Sequence, residues 1–210
     1  MSRGAFVTFE GVEGCGKSTQ VVLLADVLRP RGYRVVVTRE PGGTPLGEKL
    51  RDLLLHPGTD PVPEAELFML EAARAQLCRR VVLPALDDGA VVIADRFADS
   101  SLAYQAAARG LDWDAVAQLN GIACGSAVPD RTLILDIALE DALARARHRP
   151  STTGDNRRFE DETLAFHRAV ERGYRTLASR EPRRVRLVDA KGTPDEVHRR
   201  VWEAVADLFE

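Results

Sequence analysis

The segment FEGVEGCGKSTQ (9–20) follows the apolar run AFVTF (5–9) and matches the pattern G-x-x-x-x-G-K-S of a phosphate-binding loop. Its three glycines are Gly11, Gly14 and Gly16. Glycines let backbone N–H groups converge on an anion without interference from Cβ atoms, and the following helix points its positive end at the same anion. Lys17 is expected to reach the β- and γ-phosphates, and Ser18 to hold Mg²⁺. The strand before the loop and the helix after it favour a triphosphate site over a glycine turn that matches by chance.

The composition indicates one globular domain, residues 1–210, with an ordinary apolar content of 45%. No run approaches the roughly 20 apolar residues that cross a membrane, and the first residues are not arranged as a secretory signal. A net charge of −3 gives no indication of a nucleic-acid surface. The cysteines Cys15, Cys78 and Cys124 lie far apart and form no C-x-x-C, which predicts reduced thiols in a cytoplasmic protein.

Short apolar strands alternate with helices along the chain. The predicted strands are 5–10, 34–38, 89–96, 131–137 and 184–190. The predicted helices are 17–29, 46–55, 64–86, 99–108, 112–123, 139–147 and 193–209. This alternation predicts an α/β fold, a P-loop NTPase-type three-layer sandwich whose five-stranded parallel sheet carries helices on both faces. Ligands of such sheets bind outside the carboxyl ends of the strands, where the glycine loop, the segment REPGGT (39–44), Asp95 and Asp136 all fall.

The segment ARHRPSTTGDNRRFEDE (146–162) is polar, rich in arginine and broken by proline and glycine. Its arginines are Arg147, Arg149, Arg157 and Arg158. We interpret residues 146–160 as a short lid whose arginines close over phosphates, and a solvated surface loop is the alternative interpretation.

Asp95 follows the apolar run VVIA, at the position where phosphate-loop proteins carry a second carboxylate near Mg²⁺. Arg96 directly after it favours a second anion over the water-activating acid of a hydrolytic motor. Arg39 and Arg74 add guanidinium groups, which suit phosphate oxygens, although surface ion pairs are the alternative. A phosphate monoester is largely ionised near neutral pH, since its second pKa is about 6. The expected chemistry is therefore positioning and charge neutralisation without a general base.

In these features the chain resembles the thymidylate kinases (dTMP kinases), a family of P-loop nucleoside-monophosphate kinases. The resemblance rests on six segments that span nearly the whole chain: FEGVEGCGKST, TREPGGTPLGEKLRDLLL, EAARAQL, ADRFADSSLAYQ, PDRTLILD and NRRFED. REPGGT together with DR-x-x-x-SS-x-AYQ is the most specific pair. The resemblance implies Mg²⁺ with ATP as phosphoryl donor, dTMP as acceptor, dTDP as product for dTTP synthesis, and a homodimer.

The resemblance also implies a role for individual residues. On the ATP side it implies Gly11, Glu13, Gly14, Cys15, Gly16, Lys17, Ser18 and Thr19, with Arg145 and Lys191 bordering adenine. On the acceptor side it implies Glu13, Arg39, Pro41, Arg74, Arg96, Ser100, Ser101, Tyr104 and Gln105. The implied metal ligands are Ser18 and Asp95, and the implied catalytic groups are Lys17, Asp95, Arg96, Arg149 and Arg158.

One departure from the family pattern concerns the base. Family members often place a phenylalanine that stacks on thymine four residues before the arginine of the AAR segment, but this chain has Leu70 there. Either Leu70 packs against the ring or Phe68 replaces the usual aromatic side chain.

A second departure concerns the catalytic arginine. The glycine loop carries Glu13 and Cys15 where some members have a basic residue, which implies that the lid supplies this group. Arg158 is the first choice and Arg149 the second. Phe159 occupies a position where tyrosine is common.

Two other functions stay open from the residues alone. Leu70 leaves room for a kinase of another nucleoside monophosphate. A GTP switch or ATP-driven motor is the second alternative, although the chain has no N-K-x-D and its D-x-x-G lies at 189–192, near the end.

Overall fold

The fold is a five-stranded parallel β-sheet, seen in a computed structural model that describes residues 3–56, 58–148, 158–159 and 162–209. The strands are β1 (Phe6–Glu10), β2 (Val35–Arg39), β3 (Val91–Asp95), β4 (Arg131–Asp136) and β5 (Val185–Asp189). They lie in the order β2-β3-β1-β4-β5, and every pairing is parallel. The predicted α/β, P-loop NTPase-type architecture is confirmed.

Helices cover both faces of this sheet. They are α1 (Lys17–Leu28), α2 (Pro45–Leu55), α3 (Pro63–Leu77), α4 (Leu83–Asp87), α5 (Ala98–Ser101), α6 (Trp113–Cys124), α7 (Leu139–Arg147), α8 (Leu164–Arg180) and α9 (Pro194–Val205). Side chains alternate between the faces of a strand, and the buried ones sort accordingly into two apolar clusters. In β3, Ile93 belongs to the larger cluster, whereas Val92 and Ala94 belong to the smaller one. The two clusters are the layers between sheet and helices.

The longest described helix, α8, was not predicted from the sequence. It buries Phe166, Val170, Tyr174 and Leu177, a helical spacing of apolar residues that lies just beyond the polar segment 146–162. Of the predicted lid (146–160), residues 149–157 and 160 lie outside the described residues.

Two predicted helices are interrupted by π-helical segments. The helix expected over 64–86 consists of α3, the π-helical segment Cys78–Val82 and α4. The helix expected over 99–108 begins as α5 and continues as the π-helical segment Leu102–Ala108. Such segments frequently occur at functional sites, and the second carries Tyr104 and Gln105.

The strand register brings the predicted site segments together. Asp95 at the end of β3 is paired with Phe9 of β1 on one side and with Arg39 of β2 on the other. The glycine loop after β1, the segment after β2 and the segment after β3 therefore leave the same edge of the sheet, where parallel sheets bind their ligands.

The three cysteines are buried and form no disulfide. Cys78 and Cys124, which are far apart in the sequence, pack in the same apolar cluster. Within the described ranges, no helix is long and apolar enough to cross a membrane.

Candidate active site

A cavity of about 340 Å³ opens at the carboxyl ends of β1, β2 and β3. The predicted site residues in its lining are Glu13, Gly14, Lys17, Ser18, Arg39, Pro41, Leu70, Arg74, Asp95, Arg96, Ser100, Ser101, Tyr104 and Gln105. The cavity is also lined by Glu40, Arg51, Leu55 and Phe159. Most of the site residues predicted from the sequence therefore lie together around one cavity.

The glycine loop has the backbone conformation that its sequence predicts. Gly11, Gly14 and Gly16 all have positive φ, which side chains with a Cβ rarely adopt. A Cβ on Gly14 would also lie 2.0 Å from the carbonyl oxygen of Ala142, so the loop packs directly against α7. Lys17 Nζ donates to the carbonyl oxygens of Gly11 at 3.1 Å and Val12 at 3.0 Å, which holds the ammonium group inside the loop.

Ser18 and Asp95 form the candidate metal site. The Ser18 hydroxyl donates to Asp95 Oδ2 at 2.6 Å, joining the start of α1 to the end of β3. A hydroxyl and a carboxylate beside a phosphate loop are the oxygen donors that Mg²⁺ prefers, so the residues present fit this ion. The described residues contain no cluster of three His, Cys, Asp or Glu side chains that suits a protein-only metal site.

Arg96 is a polar residue of the cavity lining that makes contacts with several of its neighbours. It has φ of +70°, and its guanidinium donates to Glu13 Oε1 at 2.6 Å, to Tyr104 Oη at 3.1 Å and to the Gly11 carbonyl oxygen at 3.1 Å. Burial opposes ionisation of Glu13, yet Arg96 and then Lys17 hold the pKa of its carboxyl below the ordinary value of 4.5. A charged pair therefore stands beside the phosphate loop.

Glu10, at the end of β1, was not selected from the sequence. Its buried carboxylate accepts hydrogen bonds from the Phe97 N–H at 2.7 Å, Ser100 Oγ at 2.6 Å and Tyr174 Oη at 2.7 Å. Burial raises the pKa of this carboxyl above 4.5. No sequence motif reveals this role, because all three donors lie in other parts of the chain, and Tyr174 is 164 residues away.

Arg74 is buried beneath the cavity floor, with 1% of its side chain exposed. It pairs with Glu40 at 2.8 Å and with Glu71, and it donates to Ser101 Oγ at 3.1 Å and Asn120 Oδ1 at 2.7 Å. Burial raises the pKa of the Glu40 carboxyl to about 7, although Arg74 opposes the rise. These ion pairs and hydrogen bonds fix the position of the Arg74 guanidinium directly below the surface of the cavity.

The apolar side of the cavity contains Leu70, Tyr104 and Phe159. Phe68 lies outside the lining and is 58% exposed, so the expectation that it replaces the usual aromatic residue is wrong. The reason is helical geometry: two residues along α3 turn a side chain by roughly 200°, away from the face that carries Leu70.

Arg39 and Arg51 border the cavity near Pro41. Arg39 pairs with Glu48 at 2.9 Å, and Arg51 donates to the Pro41 carbonyl oxygen at 3.0 Å. Burial, followed by the charge of Arg39, lowers the pKa of Arg51. Arg51 was missed from the sequence, although its position on the helix directly after REPGGT is a usable signal.

Several predicted residues lie away from the lining. They are Gly11, Cys15, Gly16, Thr19, Arg145, Arg158 and Lys191. Arg158 pairs with Glu66 at 2.7 Å and donates to the Leu54 carbonyl oxygen at 3.2 Å, and its neighbour Phe159 does line the cavity. Arg149 lies outside the described residues.

The comparisons with known proteins agree with this geometry. A family model described as thymidylate kinase matches residues 9–201. A thymidylate kinase of a Synechococcus strain is 51% identical over 200 residues, 95% of this chain and 94% of the relative. That of Syntrophotalea carbinolica is 48% identical over 200 residues, 94% of this chain and 93% of the relative. The crystal structure of thymidylate kinase from Ehrlichia chaffeensis matches with a TM-score of 0.79 at 31% identity, covering 97% of this chain and 99% of that one.

Proposed function

Because the chain belongs to the thymidylate kinase family, we propose that it transfers the γ-phosphoryl group of ATP to dTMP, giving dTDP and ADP. The observation that carries this proposal is the single cavity that joins the phosphate loop to Arg96, Arg74 and Arg51. A hydrolytic enzyme needs space for one polyanion and a water molecule. Here cationic groups continue well beyond the phosphate loop, as a second phosphate ester requires.

The chemistry is charge neutralisation and alignment. Lys17 is placed to move from the loop carbonyls to the β- and γ-phosphates of ATP. Ser18 and Asp95 would hold Mg²⁺, which neutralises charge on the β- and γ-phosphates when bound. Arg96 would orient the acceptor phosphate so that one of its oxygens attacks in line, and Glu13 keeps the guanidinium in place. The ionised phosphate is itself the nucleophile, so no side chain has to remove a proton.

The base pocket is proposed at Gln105, Arg74 and Leu70. Gln105 Nε2 donates to Glu66 Oε1 at 2.7 Å, which fixes the amide. Its buried Oε1 has no partner among the described residues and can accept a hydrogen bond. The N3–H of thymine is a donor of the required kind, and cytosine has no hydrogen on that nitrogen. Leu70 offers an apolar contact to the ring in place of a stacked aromatic side chain.

Arg158 and Arg149 are the proposed lid arginines. For Arg158 to contact the transferred phosphoryl group, its bonds to Glu66 and Leu54 must be exchanged for phosphate oxygens. Its neighbour Phe159 lines the cavity, which supports a role for this part of the chain at the site. Arg145 and Lys191 are the proposed neighbours of adenine, and both are exposed.

We also propose a cytoplasmic homodimer. The three thiols are unoxidised, as a reducing compartment predicts. The adjacent helices α3 and α6 expose Phe68 at 58% and Ile122 at 74%, apolar side chains that a second copy could cover. Sedimentation equilibrium that shows only a monomer at micromolar concentration would exclude the dimer.

The function is tested with a panel of nucleoside monophosphates, ATP and Mg²⁺. We expect kcat/KM for dTMP to exceed that for dCMP and dAMP by about 100-fold or more, because cytosine N3 and adenine N1 carry no hydrogen to donate to the fixed amide oxygen. ATP hydrolysis without an acceptor should be slow. A better acceptor than dTMP would reassign the specificity, and rapid hydrolysis of ATP alone would favour a motor.

A further inference from the structure

Glu10 does not reach the cavity, yet hydrogen bonds through Ser100 and Tyr174 connect it to Arg96, which does. Its side chain is fully buried, and it is not part of the cavity lining. Tyr174 Oη and Ser100 Oγ each contact Glu10 Oε2 on one side and Arg96 Nη1 on the other. The two hydroxyl groups therefore form two parallel bridges from the carboxylate to the guanidinium.

The directions of the hydrogen bonds in these bridges are fixed by Arg96 and Glu10 together. A hydroxyl group has a single hydrogen, the guanidinium of Arg96 only donates, and the carboxyl oxygen of Glu10 accepts. Because Ser100 and Tyr174 give their hydrogens to Glu10 at 2.6 and 2.7 Å, their oxygens present lone pairs to Arg96 at 3.3 and 3.2 Å. The carboxylate thus makes both hydroxyl groups acceptors for the guanidinium.

Glu10 also holds the backbone next to Arg96. Its second oxygen accepts from the Phe97 N–H at 2.7 Å. Arg96 has φ of +70°, a backbone conformation that is strained for a residue with a Cβ and persists only where the surroundings enforce it. The carboxylate therefore supports both the strained backbone of Arg96 and the direction of its side chain.

We propose that Glu10 and Tyr174 are positioning residues for phosphoryl transfer: they aim Arg96 at the acceptor phosphate without touching a substrate. This inference rests on the proposed function, because it assigns the two residues to the acceptor side of that reaction. It also gives α8 a part in the reaction, since Tyr174 is the residue of α8 that reaches Arg96.

Tyr174→Phe is the decisive variant, because it removes one bridge and keeps the buried ring. We expect kcat/KM for dTMP to fall about 10-fold, the effect of losing one hydrogen bond to a charged group, with KM for ATP unchanged. The matched control is Tyr33→Phe. It removes a hydroxyl that donates to the Phe209 carbonyl oxygen at 3.0 Å, far from the cavity, and should leave both parameters unchanged.

A double-mutant cycle separates positioning from a general loss of stability. If Tyr174 acts through Arg96, Tyr174→Phe should change the residual kcat/KM of an Arg96→Ala enzyme by about twofold or less. Equal losses in both backgrounds, or no loss in the wild-type background, would overturn the proposal. If wild-type protein makes no dTDP, the proposed function itself fails, and this inference fails with it.

Glu10→Gln provides a second test of the bond directions. The amide has one acceptor and one donor. In one orientation its N–H group faces the Phe97 N–H, and in the other it faces the Ser100 and Tyr174 hydroxyl groups, which must then accept from it and lose the acceptor for their own hydrogens. We expect the same selective loss of dTMP use, and Arg96→Ala should again abolish the difference. Full activity of Glu10→Gln would contradict the proposal, and if this variant does not fold, the cycle with Tyr174→Phe decides alone.

Discussion

At the scale of single residues, Arg158 has two competing partners. In the structure its guanidinium pairs with the fully buried carboxylate of Glu66, which also accepts from Gln105 and Arg109. Phosphate oxygens offer the same planar, bidentate geometry and more negative charge. We therefore expect Arg158 to exchange Glu66 for substrate during the reaction.

The prediction for Arg158→Ala is a fall in kcat of about 100-fold or more, with KM for dTMP changed about twofold or less. The physical reason is that the arginine meets the phosphoryl group chiefly as charge develops in the transition state. Steady-state kinetics measure both parameters, and Arg168→Ala, an exposed arginine of α8, is the control. An unchanged kcat with a raised KM would show that Arg158 binds the substrate and does not act in the transfer step.

The buried carboxyl of Glu40 should make the free energy of unfolding decrease as the pH rises. The pKa of its carboxyl is about 7 in the folded protein, against an ordinary value of 4.5, so the folded state binds this proton more tightly. The free energy of unfolding should therefore fall as the pH rises from about 4.5 to about 7, by roughly 3 kcal/mol at most.

Urea denaturation between about pH 5 and 8 measures this effect. Glu40→Gln should make the decline shallower. Glu48→Gln is the control, since bonds from Gly43 and Arg39 outweigh burial and hold the pKa of Glu48 below 4.5, outside the window. Identical pH dependence in wild type and Glu40→Gln would contradict the assignment.

At the scale of elements, the packing of α8 on the segment Leu102–Ala108 is the contact that completes the site. Gly173 permits it, because a Cβ at this position would lie 2.9 Å from the Ala103 Cα and from the Ala107 Cβ. This close approach brings Tyr174 to Arg96 and Phe166 to Tyr104.

Two helical glycines therefore give opposite predictions. Gly173→Ala should destabilise the fold by about 1–3 kcal/mol, because the added methyl forces α8 away from its neighbour. Gly121→Ala in α6 meets no atom within 4 Å and should stabilise by up to about 1 kcal/mol, through helix propensity alone. Thermal or urea unfolding distinguishes them, and a stabilised Gly173→Ala would refute the close packing.

The strands could be predicted from the sequence because each contains a short run of apolar, mostly β-branched residues, and the central strands β1, β3 and β4 are buried along almost their whole length. Helix α8 could also have been found, since Phe166, Val170, Tyr174 and Leu177 follow a helical spacing. The polar segment before it favours a lid, and this masks the helical spacing that follows.

The lining of the cavity was predictable where its residues belong to a local motif, as for Gly14, Lys17, Asp95 and Arg96. The site was not predictable where partners meet only in three dimensions. The sequence predicts Glu10 only as the last residue of a strand, and the fold shows that Tyr174 donates to it. Phe68 was chosen for its ring, but the turn of α3 points it away from the cavity that Leu70 lines.

At the scale of the whole molecule, the site depends on the order of the strands. Because β1 lies between β3 and β4, the glycine loop leaves the middle of the sheet and its walls come from elements on either side. Arg39 and Asp95 reach it from β2 and β3, and α8 closes the far side through Tyr174. Two anionic substrates can then approach each other between groups that neutralise both.

The most direct test follows phosphorus nuclei in one sample. With purified protein, Mg²⁺, ATP and dTMP, ³¹P NMR should show the γ-phosphate signal of ATP disappearing as equal amounts of dTDP and ADP form. Arg96→Ala should slow this by about 100-fold or more, and ATP should persist when dTMP is omitted. A wild-type sample in which no dTDP forms, or in which ATP is consumed equally fast without dTMP, would contradict the account.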